Sequence, residues 1–177
     1  MKYKLTDETK EFCGKLLHRI VCVTAFASVA VGDTGGWVES EKNLSQSGNA
    51  WVSGDAKVSG NAEVYGNAEV SGNAWVSGDA KVYGDAEVSG NAKVYGNAWV
   101  SGNAEVSKSS DYAVYKNSWS SMRYFTWTRS NDKWCVGCFY GSGEELIEKA
   151  YKDSKLSGDC YKAVVELRNK LTELESA

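Results

Sequence analysis

The sequence predicts a mainly β protein: a three-sided coil of short parallel strands, with a β cap before it and a hairpin and helices after it. Three observations predict this. From Gly48 to Ser107, ten consecutive hexads of the form G-[ND]-A-x-V-[SY] run without an insertion, and x is always Trp, Lys or Glu. Within a hexad Ala and Val are two apart, so in an extended chain they point to one side while x and Ser or Tyr point to the other. Each Gly-Asn or Gly-Asp pair tolerates left-handed backbone angles, so a corner follows every short strand. A strand and a corner every six residues close one lap after three hexads. Ten hexads then make just over three laps, roughly 16 Å of strands stacked at about 4.8 Å per layer.

This spacing resembles the left-handed parallel β-helix of hexapeptide-repeat proteins, with Val as the aliphatic inward position and Ala as the small one. The resemblance covers the sixty repeat residues and implies a fold; it carries little chemistry. A second resemblance lies just ahead of the repeats, in LHRIVCVTAFASVAVGDTGGWVESEKNLSQSGNAWV. Its HRI, GD-x-GGWVE, E-x-NLS and SGNAWV pieces resemble the opening of small hexapeptide-repeat proteins of bacteriophages, prophages and enterobacteria.

Taken in order, residues 1–47 form an N-terminal lead-in and cap. Val38, Leu44 and Ala50 are six apart, so the coil is expected to begin a turn before the first full hexad. Gly35-Gly36-Trp37 reads as a turn and a core aromatic. Residues 48–107 are the coil. Three laps with two bare ends need covers, because a repeat array exposes its interior at both termini; the flanks are the expected caps.

Residues 108–177 form an α+β tail. RYFTWTRSNDKWCVGCFYG reads as two aromatic-rich strands about a Ser130-Asn131-Asp132 turn. Ser142 with Glu145 makes a capping box for the helix that follows. Cys160, Val164, Leu167, Leu171 and Leu174 keep a three-four spacing on a final helix, expected to cover the β-surface, with a coiled-coil seam as the alternative.

Composition limits the function classes. The net charge of −3 gives no general footprint for duplex nucleic acid, although a local basic strip suits a small anion. The longest apolar run, Ala25 to Val31, is too short for a bilayer, and MKYKLTDETK is too charged for a secretory signal, which places the chain in the cytosol. Five cysteines (Cys13, Cys22, Cys135, Cys138, Cys160) make an odd number, better read as free thiols than as a disulfide framework. The absence of proline has no explanation in these terms.

Candidate catalytic groups are few. Many left-handed β-helix proteins are acyltransferases with a histidine base, and His18, the single histidine, lies outside the repeats in a strand-like stretch where a structural role is favoured. Zinc enzymes of this fold need several histidines. Trp134-Cys135-Val136-Gly137-Cys138 matches the WCxxC of thioredoxin-like proteins, but the strand-helix alternation and cis-proline of that family are missing; in one strand the two thiols would face opposite sides. Gly141-Ser142-Gly143 before a helix lacks the lysine and spacing of a P-loop. No threonine occurs between Gly48 and Ser107, so the threonine ladders of ice-binding faces are absent. No catalytic residue, metal site or cofactor is assigned.

A lap of eighteen residues sorts the outward x positions into three columns: Trp51, Glu69, Glu87, Glu105; Lys57, Trp75, Lys93; and Glu63, Lys81, Trp99. Tyr95 joins the second column, and Tyr65 and Tyr83 the third. Opposite charges on different walls, together with the common trimeric state of the resembled family, give the expectation of a homotrimer. Rings beside cations receive nucleotides, because a base stacks while Lys or Arg neutralises phosphate. Two places qualify: Lys57, Trp75, Lys93 and Tyr95 on the second wall, and Arg123, Tyr124, Trp127, Arg129, Lys133 and Trp134 on the hairpin.

The sequence is therefore read as a non-enzymatic oligomeric binding protein. The phage resemblance extends this to a sponge that sequesters a small anionic, nucleotide-type immune signal, with no duplex nucleic acid and no membrane as partner. The alternatives are a structural or protein-interaction module and, remotely, an acyltransferase-like enzyme using His18.

Overall fold

A computed structural model describes residues 1–176 and shows a parallel β-solenoid of about four turns followed by a small antiparallel sheet and two helices. The lead-in supplies β1 (Tyr3–Phe12), β2 (Lys15–Cys22) and β3 (Thr34–Val38). The hexads supply β4 to β13, each only the two residues x-Val, because the Gly corner breaks the strand. One wall stacks β4 (Trp51–Val52), β7 (Glu69–Val70), β10 (Glu87–Val88) and β13 (Glu105–Val106). The second places β3 above β5 (Lys57–Val58), β8 (Trp75–Val76) and β11 (Lys93–Val94). The third stacks β6 (Glu63–Val64), β9 (Lys81–Val82) and β12 (Trp99–Val100).

The eighteen-residue lap holds throughout the repeats: Trp51 lies beside Glu69, Lys57 beside Trp75 and Glu63 beside Lys81. All three expected columns form, and Tyr65 stacks on Tyr83 with ring centroids 5.0 Å apart. Every hexad Ala and Val is at most 1% exposed, so the interior is wholly aliphatic. Burying each valine contributes about 1.5–3 kcal/mol. The coil does begin a turn early. Val38 lies beside Val58 and Leu44 beside Val64, so these two fill the aliphatic column, while Ala50 takes the small position. Eight residues rather than six separate Leu44 from Val52, the next aliphatic position, so the first turn carries a two-residue excess.

A parallel stack leaves unpaired carbonyls at one end and unpaired N–H groups at the other, and both are costly unless bonded. Side chains of the flanks satisfy many of them. At the first turn Lys2 Nζ donates to Ala50 O (2.7 Å), the Tyr3 hydroxyl to Leu44 O (2.6 Å) and Arg19 to Gly54 O (2.9 Å). At the last turn Trp99 N donates to Thr126 Oγ1 (2.9 Å), Glu105 N to Ser130 Oγ (2.7 Å) and Ser107 N to Asp111 Oδ2 (2.9 Å).

Tyr3 provides a pH test of the upper cap. Burial pushes its phenol up from 10.0 to about 12, with Glu41 adding to the shift. The native state therefore holds this proton more tightly than the unfolded chain. The stability linked to it is fully present below pH 10 and is lost as the pH rises through that value toward 12. Burial lowers Lys2 to about 8, which acts in the opposite sense between that pH and 10.5. Tyr3→Phe is expected to cost about 1–3 kcal/mol at neutral pH, by leaving buried carbonyls unpaired, and to abolish the alkaline loss due to Tyr3; thermal melts across the alkaline range check both.

The tail forms a four-stranded antiparallel sheet of β14 (Tyr112–Lys116), β15 (Tyr124–Thr128), β16 (Lys133–Val136) and β17 (Phe139–Gly141). The hairpin read from the sequence is β15–β16. Residues 133–140 are not one strand, however: Val136 pairs with Phe139, and Gly137, at φ 60°, turns the chain between them. Helix α1 (Gly143–Asp153) starts at the expected capping box, Ser142 Oγ accepting from Glu145 N. Helix α2 (Lys155–Glu175) covers the sheet chiefly with Tyr161, Val165 and Arg168, and of the expected stripe Val164 packs against the same core. Leu167 and Leu174 of that stripe are exposed, and Cys160, Val164 and Leu171 are half-buried. The aromatic sheet takes its cover from the neighbouring helical face, where Tyr161 stands 5.1 Å from Phe125 and the Arg168 guanidinium 4.6 Å from Trp127. Among the described residues no helix is long and apolar enough to cross a membrane.

Candidate functional site

The two aromatic-cationic places read from the sequence fare differently. On the second wall the β1–β2 hairpin folds over the column. Phe12 meets Trp75 edge-on at 5.1 Å, and Lys57 is 8% exposed with Nζ over the Phe12 ring and bonded to Asp55 O (2.6 Å). Burial lowers the Lys57 pKa, with Lys10 adding repulsion. Lys57 is thus a buried partner of the hairpin rather than part of an open ligand face, and Trp75 is half-buried against Phe12. Lys93 and Tyr95, one layer further down, remain exposed.

On the hairpin Trp127 and Trp134 are 2% and 1% exposed. They belong to the core between sheet and helices, which corrects their assignment to a ligand surface. Trp127 Nε1 donates to Asp132 Oδ1 (2.7 Å), and its ring carries Arg168 and Arg129. Arg129 is ion-paired with Glu175, whose carboxylate also accepts from Arg168 at 2.8 Å, and these bonds hold the Glu175 pKa low. Lys133 is half-buried. Arg123 and Tyr124 remain open to solvent.

Arg123 and Tyr124 face a cleft of about 450 Å³ between the third wall and the tail sheet, lined also by Asn97, Trp99, Gly137 and Cys138. Its position follows from the lower cap. The Trp99–Thr126 bond fixes the last rung to β15, and Asn131 Nδ2 donates to Asn103 Oδ1 (3.2 Å) at the next corner. Trp99 and Tyr124 supply two rings, while Lys81 lies 5.8 Å over the Trp99 ring and Lys116 5.6 Å over Tyr124. Among the described residues no carboxylate lines the cleft. Among the described residues Arg123 has no ion-pair partner, whereas Lys81 is shared with Glu63 at 3.4 Å. A cleft of this size with rings, one free guanidinium and no acid favours a planar anion.

Sequence reasoning missed Trp99 as a member of this site. The available signal was position: Trp99 is the last tryptophan of the repeats and therefore the one nearest the tail.

His18 sits in β2 with Nδ1 3.4 Å from Thr6 O, and among the described residues no cluster of three His, Cys, Asp or Glu is arranged to hold a metal. Cys135 is buried against the Tyr83 hydroxyl (3.1 Å) while Cys138 is exposed, so the two thiols occupy different environments. Burial and that bond raise the Tyr83 pKa.

No protein-family model matches the chain. A stretch of 59 residues is 34% identical to a protein of Escherichia coli (strain K12) described as "Uncharacterized acetyltransferase YdcK", covering 29% of this chain and 18% of that protein. The chain thus matches less than a fifth of the relative's length. The match agrees with a β-helix repeat protein.

Proposed function

We propose that the protein is a non-catalytic, oligomeric binding protein that captures a small nucleotide-type anion in the cleft between Trp99 and Arg123. The observation that carries this reading is the cleft itself: two accessible rings and a guanidinium that, among the described residues, has no ion-pair partner and no carboxylate beside it in the lining. A base stacks on Trp99 or Tyr124, and Arg123 offers a planar fork of donors to the phosphate. The GGWVE…NLS resemblance extends the proposal to a phage-encoded sponge that sequesters an immune signal by stoichiometric capture. Calorimetry with cyclic and linear nucleotides tests it: saturable binding near one site per chain is expected, and no heat from any member of the panel would end the proposal.

A second reading, a protein-interaction module, is favoured by the outward face of α2, where Leu156, Leu167 and Leu174 are 61%, 51% and 61% exposed. Self-association through this face would suit the homotrimer expected from the wall charges. Native mass spectrometry separates the readings, since it reports copy number, a bound small molecule and a bound protein together. Acyl transfer, suggested by the relative's description, requires His18→Ala to abolish turnover of an acyl donor.

A further inference from the structure

We propose that the Trp99 cleft is one chamber of a two-chamber site, and that its ligand is a nucleotide whose phosphate carries a second, polyhydroxylated group; this rests on the reading just given. Arg123 and Cys138 line both the Trp99 cleft and a second cavity of about 170 Å³ between the tail sheet and the helices. One guanidinium therefore stands in the wall common to two spaces. Its five donors form a planar fork, enough to hold a phosphate from two sides while the rest of the ligand extends in both directions.

The two chambers differ in chemistry. The first offers the Trp99 and Tyr124 rings and, among the described residues, no carboxylate. The second is lined by Ser120, Lys149, Asp153, Ser157 and Tyr161, among others. Asp153 is exposed and, among the described residues, has no ion-pair partner. An ionised carboxylate accepts hydrogen bonds from sugar hydroxyls, and with Lys149 and the serines beside it this chamber offers both acceptors and donors to a hydroxylated group. Lys149 stands four residues before Asp153, on the same face of α1. Tyr161 OH accepts from Asn117 Nδ2 (3.1 Å), which leaves its own proton to donate. The smaller volume admits one further group beyond the phosphate.

Calorimetry with three probes, adenosine monophosphate, ribose 5-phosphate and adenosine diphosphate ribose, tests the assignment on the full chain. Adenosine diphosphate ribose is expected to bind at least about tenfold more tightly than adenosine monophosphate. Asp153→Asn is expected to remove most of that advantage while leaving the monophosphate unchanged; its exposed position allows folding to be verified by an unaltered thermal melt. Equal affinity for the two adenosine probes, or an Asp153→Asn chain that binds both as before, overturns the two-chamber site and leaves the nucleotide reading intact. Absence of heat from all three probes overturns the inference, and silence of the wider panel as well overturns the reading beneath it.

Discussion

Gly78→Ala is expected to destabilise the solenoid by about 3 kcal/mol or more, whereas Gly96→Ala should cost only about 1 kcal/mol. Both glycines turn corners at positive φ, 73° and 69° respectively, so an added side chain meets the same backbone penalty at either position. They differ in what lies beneath. A Cβ on Gly78 would fall 2.9 Å from the Gly96 nitrogen and 3.2 Å from its oxygen, atoms of the stacked backbone that cannot rotate away. A Cβ on Gly96 would meet nothing within 4 Å. The difference between the two variants therefore measures how tightly successive laps are stacked, with the local conformational cost cancelled. Urea denaturation of both checks it; equal losses would mean that the corners do not lie in register.

Trp99→Ala is expected to weaken a nucleotide by about 5- to 150-fold, the loss of one stacked base. Arg123→Ala should lower affinity by about 10-fold or more, through the loss of a charge-assisted bond, and should reduce its dependence on salt. Trp75→Ala provides the contrast: its ring lies beneath Phe12, so the change should reduce stability and leave affinity alone. The reverse pattern, with Trp75 deciding affinity, would move the site to the second wall.

Much of the solenoid was legible because its information is periodic. Two-residue alternation fixed which side chains turn inward, and a six-residue corner fixed the lap, so the Tyr65–Tyr83 stack and all three columns follow from counting. The site was less legible, because it depends on contacts between non-periodic segments. Nothing in the repeat says that Phe12 will lie on Trp75. In the tail, the three-four spacing from Cys160 to Leu174 describes an apolar face correctly, but the aromatic sheet selects the Tyr161, Val165 and Arg168 face, whose ring packs at an angle on Phe125 and whose guanidinium lies over Trp127. The same choice buries Trp127 and Trp134 and leaves Arg123 and Tyr124 to the cleft.

The most direct test of the cleft is a titration of the folded chain with adenosine diphosphate ribose, followed through the tryptophan indole N–H resonances and assigned with Trp99→Phe. The Trp99 resonance is expected to shift in proportion to occupancy while those of the buried Trp127 and Trp134 stay nearly still. Shifts confined to other tryptophans, or a saturable heat with Trp99 unmoved, would contradict the placement of the site.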